Sequence, residues 1–181
     1  MIENLLQGVR GLLAIIRVLA SPFQFELIKR MDASPVAMTL ADVLPALQQG
    51  AIDAALTTIT VDTTMQYQDA AKYVVESDQP YLNSIIVMSK KWLDSLPADL
   101  QKIVRDDAGN VSQDIVPFVK EFFAKQRKIW TDKGGELVSF PAAEQSAMIE
   151  KISNVADDLS KSKPELNKAV KIVFESANRN K

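Results

Sequence analysis

Between Ala14 and Leu56, three short apolar runs (14–20, 35–38 and 51–56) alternate with two stretches of helical period. Short apolar strands separated by amphipathic helices are the pattern of a parallel sheet built from βαβ crossovers. The first helix opens with Ser21 at the N-cap, Pro22 at N1 and Gln24 placed for a capping box. Phe23, Leu27, Ile28 and Met31 share its inner face. The second opens with the pair Thr39 and Asp42, runs through Val43, Leu44 and Leu47 with a kink expected at Pro45, and stops at Gly50. A hydroxyl-rich turn follows the third run, a helix is expected over 62–71, then a fourth strand over 72–75 and another strand candidate over 81–89.

Beyond Pro97 the period changes. Leu100, Ile103, Val104, Val111, Ile115, Phe118, Val119, Phe122, Phe123, Ile129 and Trp130 recur at three and four residues, which predicts one long helix over 97–133. Pro117 should bend or break it, and Gly134-Gly135 should end it. A short strand over 136–140 comes next. Met148, Ile149, Ile152, Val155 and Leu159 then mark a helix face, and a last helix starts at Pro164.

One residue breaks the pattern. Arg17 stands in the middle of the first apolar run. A strand buried on both faces should not carry a guanidinium unless something answers its charge. Two readings follow: an edge-strand arginine paired with a surface carboxylate, or an arginine that meets a ligand. The turn Thr57-Thr58-Ile59-Thr60 lies at the carboxyl end of the third strand, the edge where open α/β sheets bind ligands. The same threonines also suit a helix cap.

Composition narrows the chemistry. The 181 residues are 47% hydrophobic, enough for a sizeable core, and the net charge of -2 gives no long-range pull toward nucleic acid. With no cysteine and no histidine, the chain offers no disulfide, no thiolate metal site, no cysteine nucleophile and no Ser-His-Asp triad. No cofactor motif and no metal-ligand spacing is seen. The first twenty residues imitate an export signal, but Arg17 interrupts the apolar stretch and Glu3 sits ahead of it.

Three segments in order carry a resemblance: Arg17-Val18 closing the first strand, Ala46-Leu-Gln-Gln-Gly50-Ala-Ile-Asp53 before the third, and Trp92-Leu-Asp-Ser-Leu-Pro97-Ala-Asp-Leu-Gln101 opening the long helix. Their order and spacing resemble the dicarboxylate-binding solute-binding proteins of TRAP transporters, with this chain similar to the second half only. The resemblance implies a truncated two-lobe α/β fold: a periplasmic-binding-protein-like lobe with a parallel sheet, then a long spanning helix and C-terminal helices. It divides the chain into 1–13 as linker or helix end, 14–80 as the ligand-binding lobe, and 81–181 as crossing strand, long helix and helical part of the other lobe.

It further implies capture of a small organic acid in the periplasm for delivery to TRAP membrane permease subunits. Arg17 would meet the ligand carboxylate, and Thr57 and Thr58 would add polar contacts. The chain departs from the family pattern at Leu19, Ala54 and Leu56, where proline, glycine and an acidic residue are usual. Two other readings stand beside this one. One is a carboxylate enzyme using Asp53 and Asp62 as acid and base, although both also fit capping roles. The other is an interaction or oligomerisation fragment that binds no ligand, with the amphipathic helix 97–133 as its partner surface.

Overall fold

The computed structural model describes residues 14–77 and 87–179. The expected N-terminal linker, and the 81–86 part of the expected crossing strand, lie outside these residues. The first sheet has β1 (Ile15–Val18) at its centre, with β2 (Ser34–Ala37) on one side and β3 (Ala54–Ala55) on the other, all parallel. Helix α1 (Pro22–Arg30) makes the crossover from β1 to β2, and α2 (Leu40–Gln48) that from β2 to β3.

The register decides which side chains share a face. Arg17 sits opposite Val36 on β2 and Ala55 on β3, so these three project from one side of the sheet. Ile16 and Val18 project from the other, where Val18, Ile28 and Ala33 form a core with Phe25 and Leu27 of α1. The Arg17 side belongs to the other core, Val43, Ile52, Ile59, Tyr67 and Trp130, against which Val36 and Ala55 also pack.

Several local expectations change. Ser21 makes no side-chain cap bond. Its amide instead donates to the Leu19 carbonyl at 2.7 Å, and Gln24 Oε1 accepts from the Leu19 amide at 2.7 Å, so the reach-back bond falls two residues earlier than a capping box would put it. Thr39 donates its hydroxyl to Asp42 at 2.6 Å rather than capping backbone. Helix α2 runs continuously through Pro45 and ends where Gly50 adopts φ +68°, a left-handed conformation that glycine takes without strain. The third strand is shorter than its apolar run, because Asp53 turns back on β1: its carboxylate accepts from the Ile15 amide at 2.7 Å.

The expected helix over 62–71 begins earlier and is shorter, as α3 (Ile59–Thr64) followed by a 3-10 turn at Tyr67–Asp69. β4 (Tyr73–Glu76) pairs in parallel with β5 (Glu136–Ser139), so strands on either side of the long helix share a second sheet. After the short α4 (Lys90–Asp94), helix α5 (Ala98–Asp132) runs for 35 residues, about 52 Å at 1.5 Å per residue. Pro117 does not end it. Val116 and Phe118 beside it are exposed, and where solvent can meet the carbonyl that a proline leaves unpaired, the helix can continue at a cost. The apolar face expected after β5 is split between α6 (Ala142–Ile152) and α7 (Val155–Ser160), and α8 (Pro164–Arg179) closes the described chain. No helix among the described residues is long and apolar enough to cross a membrane.

Candidate ligand-binding site

Arg17 lies on the central strand, which removes the edge-strand reading. Its side chain is buried, only 1% exposed. Nε donates to the Met38 carbonyl at 3.0 Å, just past the carboxyl end of β2. Nη2 is buried without a hydrogen-bond partner, and no carboxylate among the described residues forms an ion pair with the group. A guanidinium in this position pays for lost hydration with one neutral acceptor, an arrangement that favours any anion able to reach it.

Thr57 follows β3 at the same sheet edge, two residues past Ala55, the neighbour of Arg17. It lines a cavity of about 230 Å³ with Asp62, Tyr67, Tyr73 and Trp130. Thr58 holds the N-cap position of α3, but its hydroxyl is engaged with the Thr60 hydroxyl at 2.8 Å and it is not on the cavity wall. The structure thus brings Arg17 and Thr57 to one sheet edge and ties Thr58 into the turn. Arg17 itself is not on the cavity wall.

Three residues that the sequence did not single out for binding complete the surroundings. Tyr67 is buried and donates its hydroxyl to the Leu40 carbonyl at 2.9 Å. Burial raises its pKa; the Arg17 charge pulls it back and the Asp62 carboxylate pushes it further up, so both charges are felt at the phenol. Asp62 is 8% exposed and makes no side-chain hydrogen bond or ion pair among the described residues; burial pushes its carboxyl up to about 7. One signal in the sequence foreshadows this: Asp62 and Thr63 stand three and four residues after Ile59, on one helical face. All three are buried, and the Thr63 hydroxyl reaches Gln126 on α5.

Trp130 is held from below by backbone. A Cβ on Gly135 would stand 2.2 Å from its Nε1, so only glycine lets the chain after α5 pass beneath the ring. Asp53 accepts a backbone amide, the role of a strand clamp rather than of an acid or base. No cluster of residues suited to a metal ion occurs among the described residues.

A family model shows the group to which the chain belongs, and solved structures share its fold. The family model described as bacterial extracellular solute-binding protein, family 7 (DctP), matches residues 7–163. A curated relative from Salmonella typhimurium, the uncharacterized protein YiiZ, is 33% identical over 89 residues, covering 49% of this chain and 27% of its own length. A TRAP periplasmic solute-binding protein from Desulfovibrio salexigens, solved with bound orotic acid, superimposes with a TM-score of 0.80 at 20% identity, over 90% of this chain and 53% of that one. Another from Shewanella oneidensis, with bound succinate, gives 0.73 at 22% identity over 86% and 52%. The chain therefore spans about half the length of these solved proteins and about a quarter of the curated relative.

Proposed function

The chain belongs to family 7 of the bacterial extracellular solute-binding proteins, and on that premise we propose that it is part of a periplasmic receptor that captures a small organic acid and hands it to TRAP membrane permease subunits. It acts by binding, not by catalysis, and uses no cofactor. The observation that carries this reading is Arg17: a guanidinium buried on the central strand, with one neutral acceptor and no carboxylate partner among the described residues. A ligand carboxylate would supply the missing charge in a two-point, charge-assisted pair. Thr57, at the same sheet edge, would hydrogen-bond the ligand beside it; Thr58 would do so only after releasing Thr60.

In this reading residues 14–77 form the ligand-binding lobe. The C-terminal end of α5, β5, α6 and α7 buttress it, since β5 completes a sheet with β4 and Trp130 joins the core beneath Tyr67. The first two-thirds of α5, whose apolar side chains are exposed, would face the other lobe of a two-lobe receptor. Both solved relatives described above were captured with carboxylic acids, which fits this chemistry. Calorimetric titration of the full chain with a panel of small mono- and dicarboxylates tests the reading. Saturable binding of at least one acid, with no turnover of it, is expected; turnover, or saturable binding confined to uncharged solutes, would refute it.

A further inference from the structure

Among the described residues, the walls of the cavity beside Thr57 carry two carboxyl groups, Asp53 and Asp62, and no lysine or arginine. The two acids are not equivalent. Asp53 is spent on the Ile15 amide at 2.7 Å. Asp62 is more than nine-tenths buried, lines the cavity and has no partner among the described residues. A carboxyl group taken out of water without a partner is costly, and the folded chain gains nothing visible from it. The remaining polar wall is made of the hydroxyl-bearing residues Thr57, Tyr67, Tyr73 and Ser77, with the indole of Trp130. At about 230 Å³ the space exceeds the roughly 150 Å³ that accepts a benzene-sized molecule.

Resting on the binding reading above, we propose that Asp62 is a specificity-determining residue: it receives a hydrogen-bond donor on the arm of the ligand remote from the carboxylate held by Arg17, so the site selects a hydroxylated monocarboxylate over an unsubstituted dicarboxylate of the same length. Arg17 lies beside Ala55, which lines the cavity, and projects from the same face of the sheet; Arg17 and Asp62 are both near enough to act on the Tyr67 phenol. A ligand reaching from Arg17 past Ala55 into the cavity would meet positive charge at one end and the Asp62 acceptor within it. A second ligand carboxylate would instead face Asp62 with no cation on the wall among the described residues, and two carboxylates at close range cannot both stay ionised without cost. A hydroxyl group has no such conflict, because it donates to the ionised acid.

Matched probes test this on the full chain at pH 8: 4-hydroxybutanoate, succinate and 4-aminobutanoate, titrated by calorimetry into the natural protein, Asp62→Asn and Asp62→Ala. The natural protein is expected to bind 4-hydroxybutanoate about tenfold more tightly than succinate, the ratio that 1.4 kcal/mol of charge conflict gives. Asp62→Asn should bring the two within about threefold, mainly by tightening succinate. Asp62→Ala should reach the same ratio by weakening the hydroxy acid. Tighter binding of 4-aminobutanoate than of 4-hydroxybutanoate would overturn the hydroxyl assignment. A preference for succinate, or a ratio that neither variant changes, would overturn the role of Asp62 while leaving the binding reading intact. Failure of all three acids and of the wider carboxylate panel to bind the natural protein would overturn both.

Discussion

The Nε of Arg17 donates to the Met38 carbonyl at 3.0 Å, the one hydrogen bond its side chain makes among the described residues. Two properties follow. The charge is not needed to hold the lobe together, because nothing of opposite sign within the lobe depends on it. The group also stays poised, since one N–H anchors it while Nη2 remains unmatched.

Stability should therefore tolerate loss of the charge. Replacing a buried ion pair by apolar side chains of similar volume is often neutral or stabilising by about 1–4 kcal/mol, whereas removing one partner of such a pair costs about 3–5 kcal/mol, and a lone buried charge leaves no partner behind when it is removed. Arg17→Met is expected to unfold in urea within about 1 kcal/mol of the natural chain, or at higher denaturant. A loss of 3 kcal/mol or more would mean that Arg17 belongs to an internal ion pair.

Asp62 gives the fold a pH dependence of definite sign. Its folded-state pKa of about 7 lies above the ordinary 3.8 because burial penalises the charged form. Below about 4 both folded and unfolded chains hold the proton and this group is neutral toward stability. As pH rises, the unfolded chain releases it first, so stability falls until the folded pKa is passed. At about 1.36 kcal/mol per pH unit the full penalty, reached above pH 7, is about 4 kcal/mol. Asp158 works the other way, its pKa held down first by Lys161 and then by Arg30, but it is solvent-exposed and screened. Asp62→Asn is expected to be more stable than the natural chain at pH 8, with the difference closing toward pH 4 in urea unfolding. Parallel pH curves for the two proteins would contradict this.

The two glycines after α5 should respond differently. Gly134 adopts φ +84° with open space around it, so Gly134→Ala should cost about 1 kcal/mol of backbone strain. Gly135→Ala would drive a methyl group to 2.2 Å from Nε1 of the buried Trp130, and the ring cannot swing aside within the core. A cost of about 2–3 kcal/mol is expected, at the upper end for overpacking. Equal melting temperatures for the two variants would refute the packing of Trp130 on Gly135.

The long helix carries its own test. Ile103, Val111, Ile115, Phe118 and Phe122 are all exposed, Phe118 to 62%, and the Phe118 and Phe122 rings stack at 5.6 Å. An apolar stripe of this kind favours association. The described chain should self-associate with concentration in light scattering and bind an apolar dye. Phe118→Ser with Phe122→Ser should reduce both, with stability changed by about 0.5 kcal/mol or less, as for exposed sites. Equal scattering and dye binding by the natural and doubly substituted chains would contradict this.

The strands and the long helix were legible because their signals are local. Period two and period 3.6 survive in a single sequence, and Arg17 stood out against an apolar run. The cavity was not legible, because its wall joins Thr57, Asp62, Tyr67, Tyr73 and Trp130 from elements up to 73 positions apart. Asp62 in particular reads as an N-terminal helix acid, a role the first turn of α3 suggests and burial overrides. The capping box at Ser21 misled for a different reason: its residue types were right, but the turn before the helix moved the free amide to Leu19.

The most direct test of the central claim is calorimetry on the full chain with Arg17→Ala and Arg17→Lys, using the organic acid that binds the natural protein. Truncating one partner of a desolvated charge pair costs about 2–5 kcal/mol, so Arg17→Ala should weaken binding by a factor of about 30 or more. Arg17→Lys should fall between, because it keeps the charge but loses the planar fork. Both variants should fold as the natural chain does. Binding of the acid by folded Arg17→Ala with unchanged affinity would show that Arg17 is not the carboxylate anchor.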